Sequence, residues 1–151
     1  MDELFKKALA FVVKWEGGYV NNPNDLGGAT NKGITQRTYN SWLVSKGQDR
    51  KDVKFISKAE VEEIYYVNYW LGAGCNKMSK KFAVLAFDTA VNMGPRRVAE
   101  FLRVAQWKDP EKFIQAREVK YREFATYGNQ HIFLKGWLNR LNDLKKFIET
   151  L

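Results

Sequence analysis

Residues 15–35 read WEGGYVNNPNDLGGATNKGIT, and they begin where an amphipathic helix should end. Upstream, Leu4, Phe5, Ala8, Leu9, Val12 and Val13 recur at helical spacing, which predicts a helix over residues 2–16. The face Phe5–Leu9–Val12 continues to Glu16, so a carboxylate lies on the stripe meant for burial. Gly17-Gly18 then stops the helix, because glycine enters a left-handed turn at little cost. Beside Trp15 and Tyr19, Glu16 is poorly solvated, which disfavours its charged form. A general acid working near neutral pH needs that setting. Taken alone, Glu16 is also consistent with a side chain that reaches solvent at a frayed helix end.

Asp25 follows among Asn, Pro and Gly residues, in a polar, turn-rich loop that keeps a carboxylate hydrated and ionised. Two carboxyl groups in contrasting environments are what glycoside hydrolysis uses. Asp25 is equally suited to bonding its own backbone in a turn. Thr30 and Thr35 lie among glycines, and a threonine hydroxyl both donates to and accepts from a positioned water. Thr35 also suits the N-cap of the next helix.

The remaining chain is helical by pattern. A second helix is expected over residues 36–46, a third from the capping box Ser57-Lys58-Ala59-Glu60 to about Trp70, and a fourth over 80–92 capped by Ser79. A small hairpin fits around Asn24–Gly28. The tyrosine-rich third helix, with Tyr65 and Tyr66, is either core or one wall of a groove. The fourth, from Phe82 to Val91, is apolar nearly all round and therefore central. Asp88 and Asn92 share a face of it and either brace a helix end or line a cleft. Gly94-Pro95 and Asp109-Pro110 open two further helices, and residues 137–148 form the last. The fold class expected is mainly α.

With 151 residues, 45% of them hydrophobic and 15% aromatic, the chain has ample material for a core. Its net charge of +8 favours polyanionic partners, among them the acidic peptides and polymers of a bacterial wall. No Lys/Arg run exceeds two residues, which argues against nucleic acid. Cys75 and His131 are each the only one of their kind, so neither a disulfide within the chain, a zinc cluster nor a Ser–His triad is expected, and no metal or other cofactor. The amphipathic N-terminus, opening with Asp2 and Glu3, does not read as a signal peptide, and no stretch has transmembrane length. A monomer without a membrane anchor, made in the cytoplasm, is the expectation.

Residues 16–35 closely resemble the signature of glycoside hydrolase family 108, the muramidases of phages and bacteria: Glu-Gly-Gly-Tyr, then Asn-Asp, then Gly-Gly-Ala-Thr-Asn-Lys-Gly-Ile-Thr. The order Glu16, Asp25, Thr30 also resembles the wider phage-lysozyme pattern, with four residues between Asp25 and Thr30, one fewer than usual there. Phe87–Pro95 resembles the junction where the hydrolase part of such proteins meets a predicted peptidoglycan-binding region. The C-terminal part resembles that region through Val98–Leu102 and Gly136–Arg140.

The resemblance implies a lysozyme-like fold with a hydrolase part over residues 1–92 and a helical part over 93–151; no flexible linker precedes the second part, so it is expected to pack on the first. It implies a peptidoglycan hydrolase that cleaves the N-acetylmuramic acid–N-acetylglucosamine bond, and with an N-terminus that does not read as a signal peptide, release to the wall by another system is the expectation. Glu16 would be the acid. Asp25 would stabilise positive charge or, with Thr30, orient water. Tyr19, Thr35, Tyr66, Asp88 and Asn92 would touch substrate. A lytic transglycosylase and a non-catalytic wall-binding or secretion-assisting protein are the alternatives.

Overall fold

The computed structural model describes residues 2–23 and 28–151. Among them, seven α-helices and one two-stranded sheet form a mainly α, lysozyme-like architecture. Two compact units make up the chain, residues 1–68 and 69–151. The division lies upstream of the 92/93 boundary expected from sequence, so α4 (Lys80–Met93) groups with the helices that follow it.

In the first unit, α1 (Glu3–Glu16) starts at Asp2, whose carboxylate accepts a 2.7 Å hydrogen bond from the Phe5 amide. Its buried face is Phe5, Ala8, Leu9, Phe11 and Val12. Gly17, at φ +81°, ends it and donates its amide to the Val13 carbonyl. Strands β1 (Thr30–Asn31) and β2 (Ile34–Thr35) then form an antiparallel hairpin, with Thr30 opposite Thr35 and Asn31 opposite Ile34. The hairpin expected around Asn24–Gly28 falls largely on residues outside those described, and the observed one turns at Lys32-Gly33. Val20 adds a bridge to Thr30, the two exchanging both backbone hydrogen bonds at 2.8 Å.

Thr35 caps α2 (Gln36–Ser45), accepting from the Thr38 amide at 3.1 Å. A 3-10 turn at Val53–Phe55 leads to α3 (Lys58–Tyr65), opened by the Ser57/Glu60 capping box. Glu60 has a second role: both its oxygens accept from the buried Tyr39 hydroxyl, at 2.9 and 3.0 Å. Burial, reinforced by this carboxylate, pushes the Tyr39 phenol up to about 12. The third helix does not run to Trp70 in α form. After Tyr65 it widens to a π-helix over Tyr66–Leu71.

In the second unit α4 is central, every side chain from Phe82 to Ala90 being buried. Ser79 occupies its N-cap position but makes no capping hydrogen bond, contrary to the sequence expectation. Helices α5 (Pro95–Val104), α6 (Pro110–Phe124) and α7 (Leu134–Glu149) pack around α4. Phe113 meets Phe82 and Phe101 edge-on. Cys75 is buried, which pushes its thiol up to about 12 and leaves it a small core residue.

Candidate functional site

The hairpin Thr30–Thr35 meets the end of α1 and is held from α3 and the Val53–Phe55 turn. A type I′ connection, one of the two that suit a right-twisted two-residue hairpin, needs positive φ at both central residues. Lys32 sits at φ +52° and Gly33 at φ +81°. The lysine is not a favoured residue there, since a left-handed conformation costs an L-residue about 1–2 kcal/mol. Its carbonyl is secured from outside: the buried Tyr65 hydroxyl donates to it at 2.6 Å.

One face of the hairpin is anchored. Ile34 is buried, and the Asn31 amide donates to the Val53 and Lys54 carbonyls at 3.1 Å each. Gln36 completes the attachment, its amide nitrogen donating to the Lys51 carbonyl and its oxygen accepting from the Val53 amide, both at 2.7 Å. Thr30 and Thr35, directly opposed in register, therefore share the other face, where both are half-buried.

Glu16 meets this hairpin at its turn. A β-carbon added to Gly33 would lie 2.9 Å from both Cβ and Cγ of Glu16 and would also collide with the Tyr65 hydroxyl. The helix end thus lays the Glu16 stem against the bare Cα of Gly33, on a turn that Tyr65 holds from α3. Glu16 itself is half-buried. A carboxyl group held beside a turn and a pair of threonine hydroxyls on the same hairpin is an arrangement able to move a proton and orient a polar ligand.

The other expected site residues fall as follows. Asp25 lies outside the described residues. Tyr19 is 37% exposed, with the Lys54 ammonium 5.7 Å from its ring centre. The Thr35 hydroxyl donates to Thr38 Oγ1 at 3.0 Å while capping α2, so most of its hydrogen-bonding capacity is used locally. Tyr66 is half-buried, its ring edge-on to Phe5 at 5.0 Å.

Asp88 and Asn92, expected to touch substrate, are engaged in a side-chain network of the second unit, Asp88 fully enclosed and Asn92 half-buried. Asp88 is 0% exposed and paired on two sides: Arg117 approaches Oδ2 at 2.7 Å, and Arg140 donates to Oδ1 at 2.8 and 3.1 Å. Burial alone would raise the Asp88 carboxyl, but the two guanidinium groups outweigh it and hold it below the usual carboxylate range. Arg117 also donates to the Thr89 and Tyr121 hydroxyls, and Tyr121 donates in turn to Asn92 Oδ1. These side chains tie α4 to α6 and α7, which is the bracing role that the sequence left open.

Sequence reading missed Gly33, Tyr65 and Asn31 as parts of the site. Only Gly33 offers a readable turn signal there, since Lys32 is not among the residues that mark a two-residue hairpin connection. The partners of Tyr65 and Asn31 lie 33 and 22 or more residues away and leave no local trace.

Comparison with known proteins follows the same residues. Residues 9–94 match the family model described as glycosyl hydrolase 108. The chain is similar to the solved structure of SagA from Brucella abortus, with a TM-score of 0.77 and 26% identity over 97% of this chain and 94% of that one. No curated protein matches.

Proposed function

The chain belongs to the glycosyl hydrolase 108 family, and from that premise we propose that it is an N-acetylmuramidase acting on bacterial peptidoglycan. The observation that carries this reading is the seating of Glu16 against the Gly33 turn, within the matched stretch that also contains Asp25 and Thr30. In the proposed reaction Glu16 donates a proton to the glycosidic oxygen as the bond to the N-acetylmuramic acid anomeric carbon breaks. The positive charge that develops on that sugar is met by Asp25 or by a water that Asp25 and Thr30 orient. Water supplies the new hydroxyl and returns a proton. Carboxyl separation sets the stereochemical outcome, wide spacing leaving room for water and giving inversion. We favour inversion.

Glu16→Gln tests the proposal. The variant is expected to lose about 10²–10⁴-fold in the clearing of purified wall suspensions, the usual loss for a general acid, with its melting temperature preserved. Mass spectrometry of wild-type products is expected to show hydrated reducing ends. Retained clearing in Glu16→Gln would remove Glu16 from the chemistry, and anhydromuramic ends would replace hydrolysis by transglycosylation.

A further inference from the structure

Along α1, on the side that faces α3, runs a groove of about 310 Å³. It lies wholly within the first unit. Its apolar lining is Leu9, Ala10, Val13 and Val61. Its charged residues are Lys6 on α1, Lys32 at the hairpin turn, Lys58 at the start of α3, and Glu62. Three lysines from three separate elements and one glutamate line it, and Glu3, outside the lining, pairs with Lys6 at 3.5 Å, so the groove keeps a net positive charge over an aliphatic lining. Neither the acid at Glu16 nor the hairpin threonines line it.

We infer that this groove binds the acidic peptide that branches from the glycan, a ligand with carboxylates for the lysines and short aliphatic side chains for Leu9, Val13 and Val61. This rests on the peptidoglycan reading above. Charge complementarity identifies the occupant: a neutral sugar would leave the excess positive charge of Lys32 and Lys58 unmatched, and a purely apolar partner would desolvate it without compensation. Distance agrees. Val13 and Glu16 are neighbours on α1 at i and i+3, and Leu9 lies seven residues before Glu16, about 10 Å along the axis at ~1.5 Å per residue. An extended peptide crosses that in about three residues, at roughly 3.3–3.6 Å each. A sugar held at Glu16 can therefore lay its peptide into the groove. Lys32 also adjoins Gly33, the residue on which Glu16 rests. The groove would then favour glycan that still bears its peptides.

The test uses the full chain and the peptide Ala-Glu-Ala with a free C-terminus. Methyl NMR of Leu9, Val13 and Val61 is expected to shift on titration, while the cationic control Ala-Lys-Ala leaves these signals still. Lys6→Glu combined with Lys58→Glu reverses two of the three charges. It is expected to weaken Ala-Glu-Ala binding by about tenfold or more, the order of magnitude for two partly exposed ion pairs. The same variant should lower the ratio of cleavage rates on peptide-bearing and peptide-stripped glycan by a similar factor. Unmoved methyl signals, or equal binding by the charge-reversed variant at an unchanged melting temperature, would overturn the assignment. If neither glycan is cleaved, the muramidase reading fails while the methyl titration still decides the groove.

Discussion

Replacing Gly33 by alanine perturbs the point on which the site rests, and the structure allows the cost to be worked out. At φ +81° an alanine loses about 1–2 kcal/mol from backbone strain alone. Its methyl would lie 2.9 Å from Glu16 Cβ and Cγ, whereas non-bonded carbons prefer about 3.5 Å or more, so one side must yield by roughly 0.6 Å. Retreat toward α3 is blocked by the Tyr65 hydroxyl, which is committed to the Lys32 carbonyl. Overpacking of this kind adds about 1–3 kcal/mol. A total near 2–5 kcal/mol lowers the melting temperature by roughly 5–15 °C in a chain of this size. If a 1 Å misplacement costs about a hundredfold in rate, a shift of about 0.6 Å at Glu16 costs on the order of tenfold.

The matched control is Gly47→Ala. Gly47 has nearly the same φ, +70°, but nothing within 4 Å of its added methyl. It should show the strain without the collision and without the loss of rate. Thermal melts by circular dichroism and turnover on purified wall, measured well below both transitions, separate the two effects. A Gly33→Ala protein as stable and as active as Gly47→Ala would refute the account of how Glu16 is held.

Other perturbations test the remaining links. Asp88→Asn leaves Arg117 and Arg140 buried beside a neutral group and should cost about 3–5 kcal/mol in urea unfolding, whereas a loss below about 1 kcal/mol would mean that the cluster does not brace α4. Because the Asp88 carboxyl is held below its ordinary value of 3.8, its contribution is complete above that pH and disappears as pH falls through the depressed folded value. Acid melts of wild type should therefore steepen below about pH 4 relative to Asp88→Asn, and parallel curves would contradict this. Tyr39 works in the opposite direction. With its phenol raised from 10.0 to about 12, the folded state keeps a proton that the unfolded chain releases, so stability should fall between those values and fall less in Tyr39→Phe. Tyr65→Phe removes the hydrogen bond to the Lys32 carbonyl. It should cost about 1–2 kcal/mol and lower kcat more than it raises KM, and an unchanged kcat would restrict Tyr65 to packing.

Much of this protein is set by short stretches of sequence. The helix from Asp2 to Gly17, the Thr35 cap, the Ser57/Glu60 box and the Pro95 and Pro110 helix starts depend on groups no more than four residues apart. Periodicity, caps and glycine permissiveness act over that range, so they are legible without coordinates. Glu16, too, is singled out by its place on an apolar stripe, and the family by residues 16–35. The third helix shows the limit: nothing local to Tyr66–Leu71 distinguishes its π turns from α.

What tertiary structure decided is which polar groups meet. Asp88 and Asn92, one turn apart on α4, read equally as cleft or brace until Arg117, Tyr121 and Arg140 arrive from 29 to 52 residues away. Tyr65 reads as core until its hydroxyl is found on the Lys32 carbonyl. A buried polar atom must have a partner, but the requirement does not name one. The partner is chosen by how whole helices pack, and that choice depends on the side chains of every element at once.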